Sequence, residues 1–386
     1  MRMTQLKTIA DIQTGPFGSQ LHKEDYVETG TPIVTVEHLG NRVFTEQNLP
    51  RVSDSDKARL IKYTLSTGDI VFSRVGSVDR CSYVDKSHDG WMFSGRCLRV
   101  RPTELVDSLY LYYYFCLEET KQFVRNIAVG ATMPSINTKL LGEVEIALPD
   151  LNNQKRIAAV LSSLDDKIEN NQKLNDNLQQ QAAALFSSLY DRSNTEVRFT
   201  DLIQILGGGT PKTGENTYWN GNIAFFTPKD VGIPYTLITE KTISKEGLSH
   251  CNSRLYPVNT VFVTARGTVG KVGMSGVPMA MNQSCYALVG KETHQLLVYF
   301  YTLKAVDRLK HKASGAVFDA ITTRDFESEQ IMKLSDDDAT AFLRVAEPMF
   351  QEVLNNNIEN LRLSTLRDSL LPKLMSGEID VSAVQL

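Results

Sequence analysis

Two stretches of the chain carry apolar residues at alternating intervals of four and three, the heptad pattern of a coiled coil. The seam positions of the first stretch are Ile157, Leu161, Leu164, Ile168, Asn171, Asn175, Leu178, Ala182, Leu185 and Leu189. Those of the second are Phe342, Ala346, Met349, Val353, Asn356, Asn360, Leu363, Arg367, Leu370 and Leu374. The pattern predicts two long helices, and only Arg367 departs from it in the second.

Two asparagines interrupt each seam at the same place. They are Asn171 and Asn175 in the first stretch and Asn356 and Asn360 in the second. A seam asparagine costs stability, but it fixes the register when it meets a matching asparagine on a partner helix. Each helix could instead pack only on the core of its own domain. The repeated asparagines favour pairing of the two helices with each other.

The segments that precede the helices resemble each other as well, so the chain is a duplication. GDIVFSRVGSVDR is echoed by NTVFVTARGTVGK, and the aromatic run LYLYYYFCL is echoed by LLVYFYTL. The separation of matching residues falls from 192 at Thr35 and Thr227 to 185 at Gly130 and Gly315, as small deletions would produce. The aromatic runs are expected to be buried helices of the repeated domain rather than platforms that stack on bases.

The duplication predicts an α+β protein with two distantly similar domains. We expect the first domain at residues 1–150, a helix at 151–195, the second domain at 196–338, and a helix and tail at 339–386. Because the ends of a compact domain lie close together, the two helices should run antiparallel. The first seam rises by about 48 Å, roughly 14 base pairs of B-DNA.

Composition excludes several classes of protein. A net charge of -4 argues against a protein that coats nucleic acid through bulk positive charge. The five cysteines are dispersed without a CxxC, so we expect neither a disulfide framework nor a zinc ribbon, but reduced thiols in the cytoplasm. The N-terminal segment lacks the apolar stretch of a signal peptide, and no stretch reaches the length of a membrane-spanning helix.

Motifs of catalysis are missing from the sequence. ARGTVGKV is similar to a phosphate-binding loop, but Ala265 stands in place of its first glycine and Val272 in place of its Ser/Thr. GxGxxG, GxSxG, HExxH and [ND]PP[YF] do not occur. Asp165 and Asp166 are expected on the solvated face of their helix. The chain is therefore interpreted as a binding protein rather than a catalyst.

One pair of matching loops follows an apolar strand in each copy and combines glycine with hydroxyl and basic residues. Glycine admits close backbone approach, hydroxyls bond to phosphate, and Arg or Lys reaches phosphate or guanine. A tight hairpin with surface charge is the alternative interpretation. The candidate nucleic-acid contacts in these loops are Arg74, Ser77, Arg80, Arg266, Thr268 and Lys271.

Further candidates lie in the second copy. GGGTPKTGENTYWNG is a glycine-rich turn with basic and aromatic residues, TPKDVG follows it, and KHKASGAVF carries a basic cluster before a Gly-Ala turn. A plain surface loop and a solvated helix end are the alternatives. The candidate contacts here are Thr210, Lys212, Tyr218, Trp219, Lys229, Lys310 and Lys312.

This combination resembles the specificity subunit of type I restriction-modification enzymes. The resemblance rests on GGGTPKTGENTYWNGNIAFFTPKDV, VFVTARGTVGKVG, GATMPSINTKLL, LPDLNNQKRIAAVLSSLDDKIENNQKLNDNLQQQ and LRDSLLPKLMSGEIDV, in the order domain, helix, domain, helix. It covers almost the whole chain. The first copy departs from the pattern, since TGPFG stands where the second has the GGTP phrase.

The resemblance implies two target recognition domains that each read one half of a split DNA sequence. An antiparallel coiled coil would set the distance between the halves and dock two methyltransferase subunits, which bring S-adenosylmethionine. Two restriction subunits, which use ATP and Mg, can join such assemblies. The chain itself would bind no cofactor or metal, contribute no catalytic residue, and act on double-stranded DNA in the cytoplasm, away from membranes.

Because the copies have diverged so far, the two half-sites should differ and the target should be asymmetric. Two other functions are considered. The chain could be a protein-protein scaffold with two binding domains on a helical spacer, or an enzyme with an unrecognised site. A DNA footprint of two separated patches, and co-purification with a methyltransferase, would distinguish DNA recognition from the scaffold.

Overall fold

The computed structural model describes residues 2–16, 18, 20–40, 42–232, 234–312 and 320–384. The chain divides into two compact units, one formed by Met1–Ile168 with Arg362–Leu386 and the other by Glu169–Leu361. The repeated Gly-Ala turn of the second copy begins at Gly315 and lies outside the described residues. Both units combine strands and helices, which confirms the predicted α+β class.

The sheets of the first unit are small and mostly antiparallel. The strands are β1 (Arg2–Gln5), β2 (Ala10–Thr14), β3 (Tyr26–Val27), β4 (Thr31–Val34), β5 (Arg51–Val52), β6 (Ile70–Ser73), β7 (Cys81–Tyr83), β8 (Met92–Phe93), β9 (Cys97–Pro102) and β10 (Glu145–Leu148). The strand order of one sheet is β2-β9-β6-β7 and that of another is β3-β5-β4-β8, while β1 pairs with β10.

The helices that begin in the first unit are α1 (Asp54–Arg59), α2 (Ser108–Cys116), α3 (Glu118–Ile127), α4 (Thr138–Gly142) and α5 (Leu151–Asp191). Helix α2 is the aromatic run of the sequence, and the Asp107 carboxylate caps it by accepting from the Tyr110 amide at 2.9 Å. Its residues from Tyr110 to Phe115 are buried against the main sheet. The expectation of a buried helix is thus confirmed.

The second unit repeats this architecture. Its strands are β11 (Thr195–Arg198), β12 (Ile203–Gly207), β13 (Trp219–Phe226), β14 (Tyr235–Thr236), β15 (Lys241–Ile243), β16 (Val261–Thr264), β17 (Val272–Ser275), β18 (Met279–Met281), β19 (Cys285–Gly290) and β20 (Gln330–Lys333). The sheets have the strand orders β12-β19-β16-β17-β14 and β15-β13-β18, and β11 pairs with β20. The remaining helices are α6 (Phe199–Leu202), α7 (Lys245–Ser249), α8 (Gln295–Lys312), α9 (Thr323–Ser328) and α10 (Asp336–Ser376).

Strand pairing supports the duplication in detail. The order β2-β9-β6-β7 of the first unit corresponds to β12-β19-β16-β17 of the second. Equivalent isolated bridges, Val75 with Ser135 and Arg266 with Ala320, tie the loop after the central strand to the segment that follows the aromatic helix. The same hydrogen-bonding scheme is therefore present in both copies although their side chains have diverged.

The predicted long helices are α5 and α10, each 41 residues long. In the second unit, Asn171 Nδ2 donates to Asn360 Oδ1 and Asn356 Nδ2 donates to Asn175 Oδ1, both at 2.9 Å. A step of four residues forward on α5 goes with a step of four back on α10, so the helices run antiparallel here, as predicted. Asn175 Nδ2 also donates to Asn357 Oδ1 at 2.9 Å, which satisfies its buried amide.

In the first unit the expectation for Asp165 was wrong. The residue is only 7% exposed and does not lie on a solvated face. Its carboxylate accepts from Arg367 Nη1 at 2.5 Å and from the Tyr113 hydroxyl at 2.6 Å. Arg367, which breaks the apolar heptad, is therefore the partner of a buried charge. The neighbouring Asp166 is exposed, and the guanidinium of Arg42 binds it.

Candidate nucleic-acid interface

In both units the candidate loops lie at one edge of the main sheet. Strand β6 ends at Ser73 opposite Cys97, where β9 begins, and β2 ends at Thr14 opposite Leu98. Because these strands are antiparallel, the loops that leave β2 and β6 and the turn that enters β9 come out at the same edge. Strands β12, β16 and β19 repeat this arrangement in the second unit.

The first-unit loop is held by its backbone. The Arg74 amide donates to the Arg96 carbonyl at 2.8 Å, and the Arg74 guanidinium donates to the Gly95 carbonyl at 2.8 Å. Gly76 has a φ of 76°, which favours glycine. Ser77 and Arg80 are exposed, and their side chains have no hydrogen bond to the described part of the chain. This leaves a hydroxyl and a guanidinium facing solvent on a rigid turn.

The matching second-unit loop presents Arg266, Thr268 and Lys271, all exposed. The Thr268 hydroxyl donates to the Pro228 carbonyl at 3.2 Å. A Cβ on Gly270 would lie 2.6 Å from Lys310 Cε, so the side chain of Lys310 packs against this loop and brings the end of α8 to the same place. The loop and the adjacent end of α8 therefore carry three exposed basic residues, which is the kind of side chain that contacts phosphate.

The glycine-rich turn is divided between the sheet edge and the smaller sheet. The Thr210 hydroxyl donates to Gln283 Oε1, which places Thr210 beside the turn that enters β19. Lys212 is exposed, but its carbonyl accepts from Trp219 Nε1 at 3.1 Å. The ring of Tyr218 stacks on His250 with 4.9 Å between ring centroids. Tyr218 and Trp219 are therefore half-buried packing residues, and Thr210 lies nearer to the basic loop.

The two remaining lysines have protein partners of different kinds. Lys312 Nζ donates to Glu329 Oε2 at 2.6 Å, and Arg308 Nε lies 2.8 Å from the other oxygen of that fully buried carboxylate. Lys312 thus compensates a buried charge, which explains its place on α8 without DNA. Lys229 is exposed and lies 3.9 Å from Glu240 Oε2, a distance at which a surface pair is worth little. The contacts of all these residues with DNA stay a prediction.

Two residues that the sequence did not single out lie in the first unit. Glu37 and Arg96 line a groove of about 760 Å³, together with Tyr26, Thr35 and Arg74. The signal that could have found them is the position of TVEH and SGR directly after strands, where the second copy has TPKD and NQS. That correspondence becomes visible only when the strand pairing is known.

Cys97 and Cys285 are among the buried cysteines, and their burial changes the pKa of their thiols. Burial raises the pKa of the Cys97 thiol to about 12, and burial likewise raises that of Cys285 to about 12, so both stay protonated at neutral pH. Among the described residues there is no group of three or more His, Cys, Asp or Glu that could hold a metal ion. No helix in these residues is both long and apolar enough to cross a membrane.

Comparison with known proteins identifies the relatives of the chain. The family model described as type I restriction modification DNA specificity domain matches residues 1–180 and 192–333. The specificity subunit of the type I restriction enzyme HindI from Haemophilus influenzae is 24% identical, covering 82% of this chain and 88% of the relative. That of the enzyme MjaIX from Methanocaldococcus jannaschii is 25% identical over 72% of this chain and 71% of the relative. The crystal structure of a type I S subunit from M. genitalium shares the fold, with a TM-score of 0.64 and 17% identity over 97% of this chain and 95% of that one.

Proposed function

The chain belongs to the family of type I restriction modification DNA specificity domains, and on that premise we propose how it recognises DNA. Each of its two domains reads one half of a split, asymmetric sequence in double-stranded DNA. The paired helices set the spacing between the half-sites. The observation that carries this proposal is that one backbone framework occurs twice with different polar side chains at the same sheet edge.

The distribution of charge supports DNA as the ligand rather than a protein partner. The chain is slightly acidic overall, with a net charge of -4, yet Arg266, Lys271 and Lys310 lie together at one sheet edge of the second domain. Local basic groups on glycine-containing turns suit phosphate and base edges. The relatives named above are specificity subunits of restriction enzymes, which favours this function over the alternative of a protein-protein scaffold.

The proposal includes the partners of the chain. Two methyltransferase subunits dock on the helices and bring S-adenosylmethionine, and two restriction subunits that use ATP and Mg complete a nuclease. The chain acts in the cytoplasm as the non-catalytic member and binds no cofactor itself.

Methylation-sensitive sequencing of the host genome tests the proposal. A split motif with a methylated adenine in each half, two different half-sites and a constant spacer is the expected result. Deletion of the gene that encodes the chain should abolish methylation at every copy of that motif. If the genome retains the motif unchanged after deletion, or shows only an unsplit one, the proposed function is wrong.

The role of the helices has its own test. One heptad is inserted into α5 and one into α10, away from the four seam asparagines, so that the pairing pattern is kept. The methylated motif should then have a longer spacer between unchanged half-sites. A variant with the original spacer, or with altered half-sites, would contradict the assignment of spacing to the helices.

A further inference from the structure

A parallel strand pair in the first domain positions two turns side by side. Strands β4 and β8 pair in parallel, with Val34 opposite Phe93, and the Ser94 amide donates to the Val34 carbonyl at 2.8 Å. The segments that follow the two strands therefore leave the pair at the same end. Glu37 follows Val34 by three residues, and Arg96 follows Phe93 by three. Residues far apart in the sequence thus reach matching positions on adjacent turns.

The second domain has the same frame with different residues in it. Strands β13 and β18 also pair in parallel, with Phe226 opposite Met281, and the Asn282 amide donates to the Phe226 carbonyl at 3.0 Å. The residues three positions beyond the strands are Lys229 and Ser284. The acidic and basic residues of the first domain are therefore replaced by a lysine and a serine in the second.

A threonine-capped turn holds the first of these positions in both domains. The Thr35 amide donates to His38 Nδ1 at 3.0 Å, and the Thr227 amide donates to Asp230 Oδ2 at 2.8 Å. Two residues separate each threonine from its capping side chain, and the second of them is Glu37 in one domain and Lys229 in the other. This position therefore differs between the domains while the turn is kept. A fixed frame with a variable, outward residue is what a recognition position needs.

The side chains of Glu37 and Arg96 are available to a ligand. Both are exposed and line the same groove, yet no ion pair joins them, and the Arg96 guanidinium has no hydrogen bond to any described residue. The Glu37 carboxylate accepts one bond, from the Thr35 hydroxyl at 3.2 Å. Opposite charges that share a groove without pairing leave donors and acceptors for a ligand that carries both.

We propose that Glu37 and Arg96 read one G·C base pair in the half-site of the first domain. Arg96 donates two hydrogen bonds to guanine O6 and N7, and Glu37 accepts from the N4 amine of cytosine. These are the major-groove edges that suit a guanidinium and a carboxylate. Lys229 and Ser284 hold the equivalent place in the second domain, so the two half-sites differ at this position.

The inference rests on the proposed function, and the test uses the full chain in its methyltransferase complex. Glu37→Gln, Arg96→Gln and Arg96→Lys are compared with the wild type by sequencing methylated sites in a library that randomises both half-sites. Arg96→Lys keeps the charge but loses the planar fork that contacts guanine. Glu104→Gln is the matched control, because Glu104 is exposed beyond Pro102, at the far end of β9.

All three variants should lose discrimination at one and the same base pair of the first half-site, by roughly 10- to 100-fold. The second half-site should stay as in the wild type and serves as the internal control for folding. Equal weakening for every first half-site sequence, with Arg96→Lys like the wild type, would assign Arg96 to phosphate and overturn the inference. Unchanged preference in all three variants overturns it too, while the absence of any split motif in the wild type overturns the proposed function and this inference together.

Discussion

Replacement of Arg367 by alanine tests the buried charge network of the first unit. Arg367 Nη1 lies 2.5 Å from Asp165 Oδ1, and the side chain of Asp165 is 8% exposed. The variant would leave that carboxylate buried with the Tyr113 hydroxyl, at 2.6 Å, as the neighbour that still donates to it. The same network holds the pKa of Arg367 above its ordinary value, because its guanidinium, although partly buried, bonds to Asp165 and Asp368.

The size of the effect follows from which partner is removed. Removal of one member of a buried ion pair costs about 3–5 kcal/mol, because the other charge stays out of water. The Arg367 side chain is 28% exposed, so water can reach part of the vacated space and the lower figure applies. A loss of ~3 kcal/mol lowers the melting temperature by roughly 6–12 °C for a unit of this size. Asp165→Asn combined with Arg367→Ala should recover part of the loss, since a neutral amide can still accept from Tyr113.

Thermal unfolding measures the loss, and hydrogen exchange at residues 151–168 and 362–376 assigns it to the first unit. The matched control is Arg362→Ala, an exposed arginine on the same helix, which should cost no more than ~0.5 kcal/mol. Melting of Arg367→Ala at the temperature of that control would refute the reasoning. So would a double variant that is less stable than Arg367→Ala.

Two further predictions concern the second unit. Asn175→Leu should lower the free energy of unfolding by about 1–3 kcal/mol, because it leaves the amide of Asn356, which is 5% exposed, without its partner. The double variant Asn175→Leu/Asn356→Leu should be more stable than either single variant by thermal unfolding. Additive losses would contradict this. Burial raises the pKa of Tyr299 to about 12, above its ordinary value of 10, so the folded state favours the neutral phenol, and that stability is complete below pH 10 and is lost as the pH rises toward 12. Between pH 10 and 12 the melting temperature of the second unit should therefore fall less in the Tyr299→Phe variant than in the wild type. Some fall should remain from Tyr301, whose pKa burial likewise raises to about 12. An equal fall in both proteins would show that Tyr299 does not titrate in this way.

The features that the sequence predicted well are those written in local periodicity or in repetition. A heptad stripe needs only neighbours three and four residues away, so the two 41-residue helices were visible without tertiary information. The aromatic runs matched each other along the chain, and the buried helix around Tyr113 confirmed what their repetition indicated. The antiparallel direction followed from connectivity alone.

Partners of buried charges could not be predicted in this way. In the alignment of the two copies, Arg367 is equivalent to Ala182, but equivalent residues are not the ones that touch. In an antiparallel pair, residue numbers rise along one helix while they fall along the other, so contacts pair different positions. Asp165 therefore meets Arg367 and not an apolar seam residue. Lys310 and Lys312 could not be told apart from the sequence either. Lys312 forms an ion pair with the buried Glu329, which is distant in sequence, whereas Lys310 packs on the loop at Gly270.

The buried polar pairs between α5 and α10 fix the register of the two helices, and under the proposed function that register matters for DNA recognition. If α10 slipped by one heptad toward its C-terminus against α5, Asn171 and Asn175 would face Val353 and Met349, and Asp165 would lose Arg367. Each buried polar group would then lack its partner, at a cost of about 1–3 kcal/mol for an amide and more for the carboxylate. An all-apolar seam would tolerate such a slip, because one leucine pairs as well as another. Under the proposed function a slip changes the spacing between half-sites, so polar pairs that cost stability in each unit are retained where an exact spacing is required.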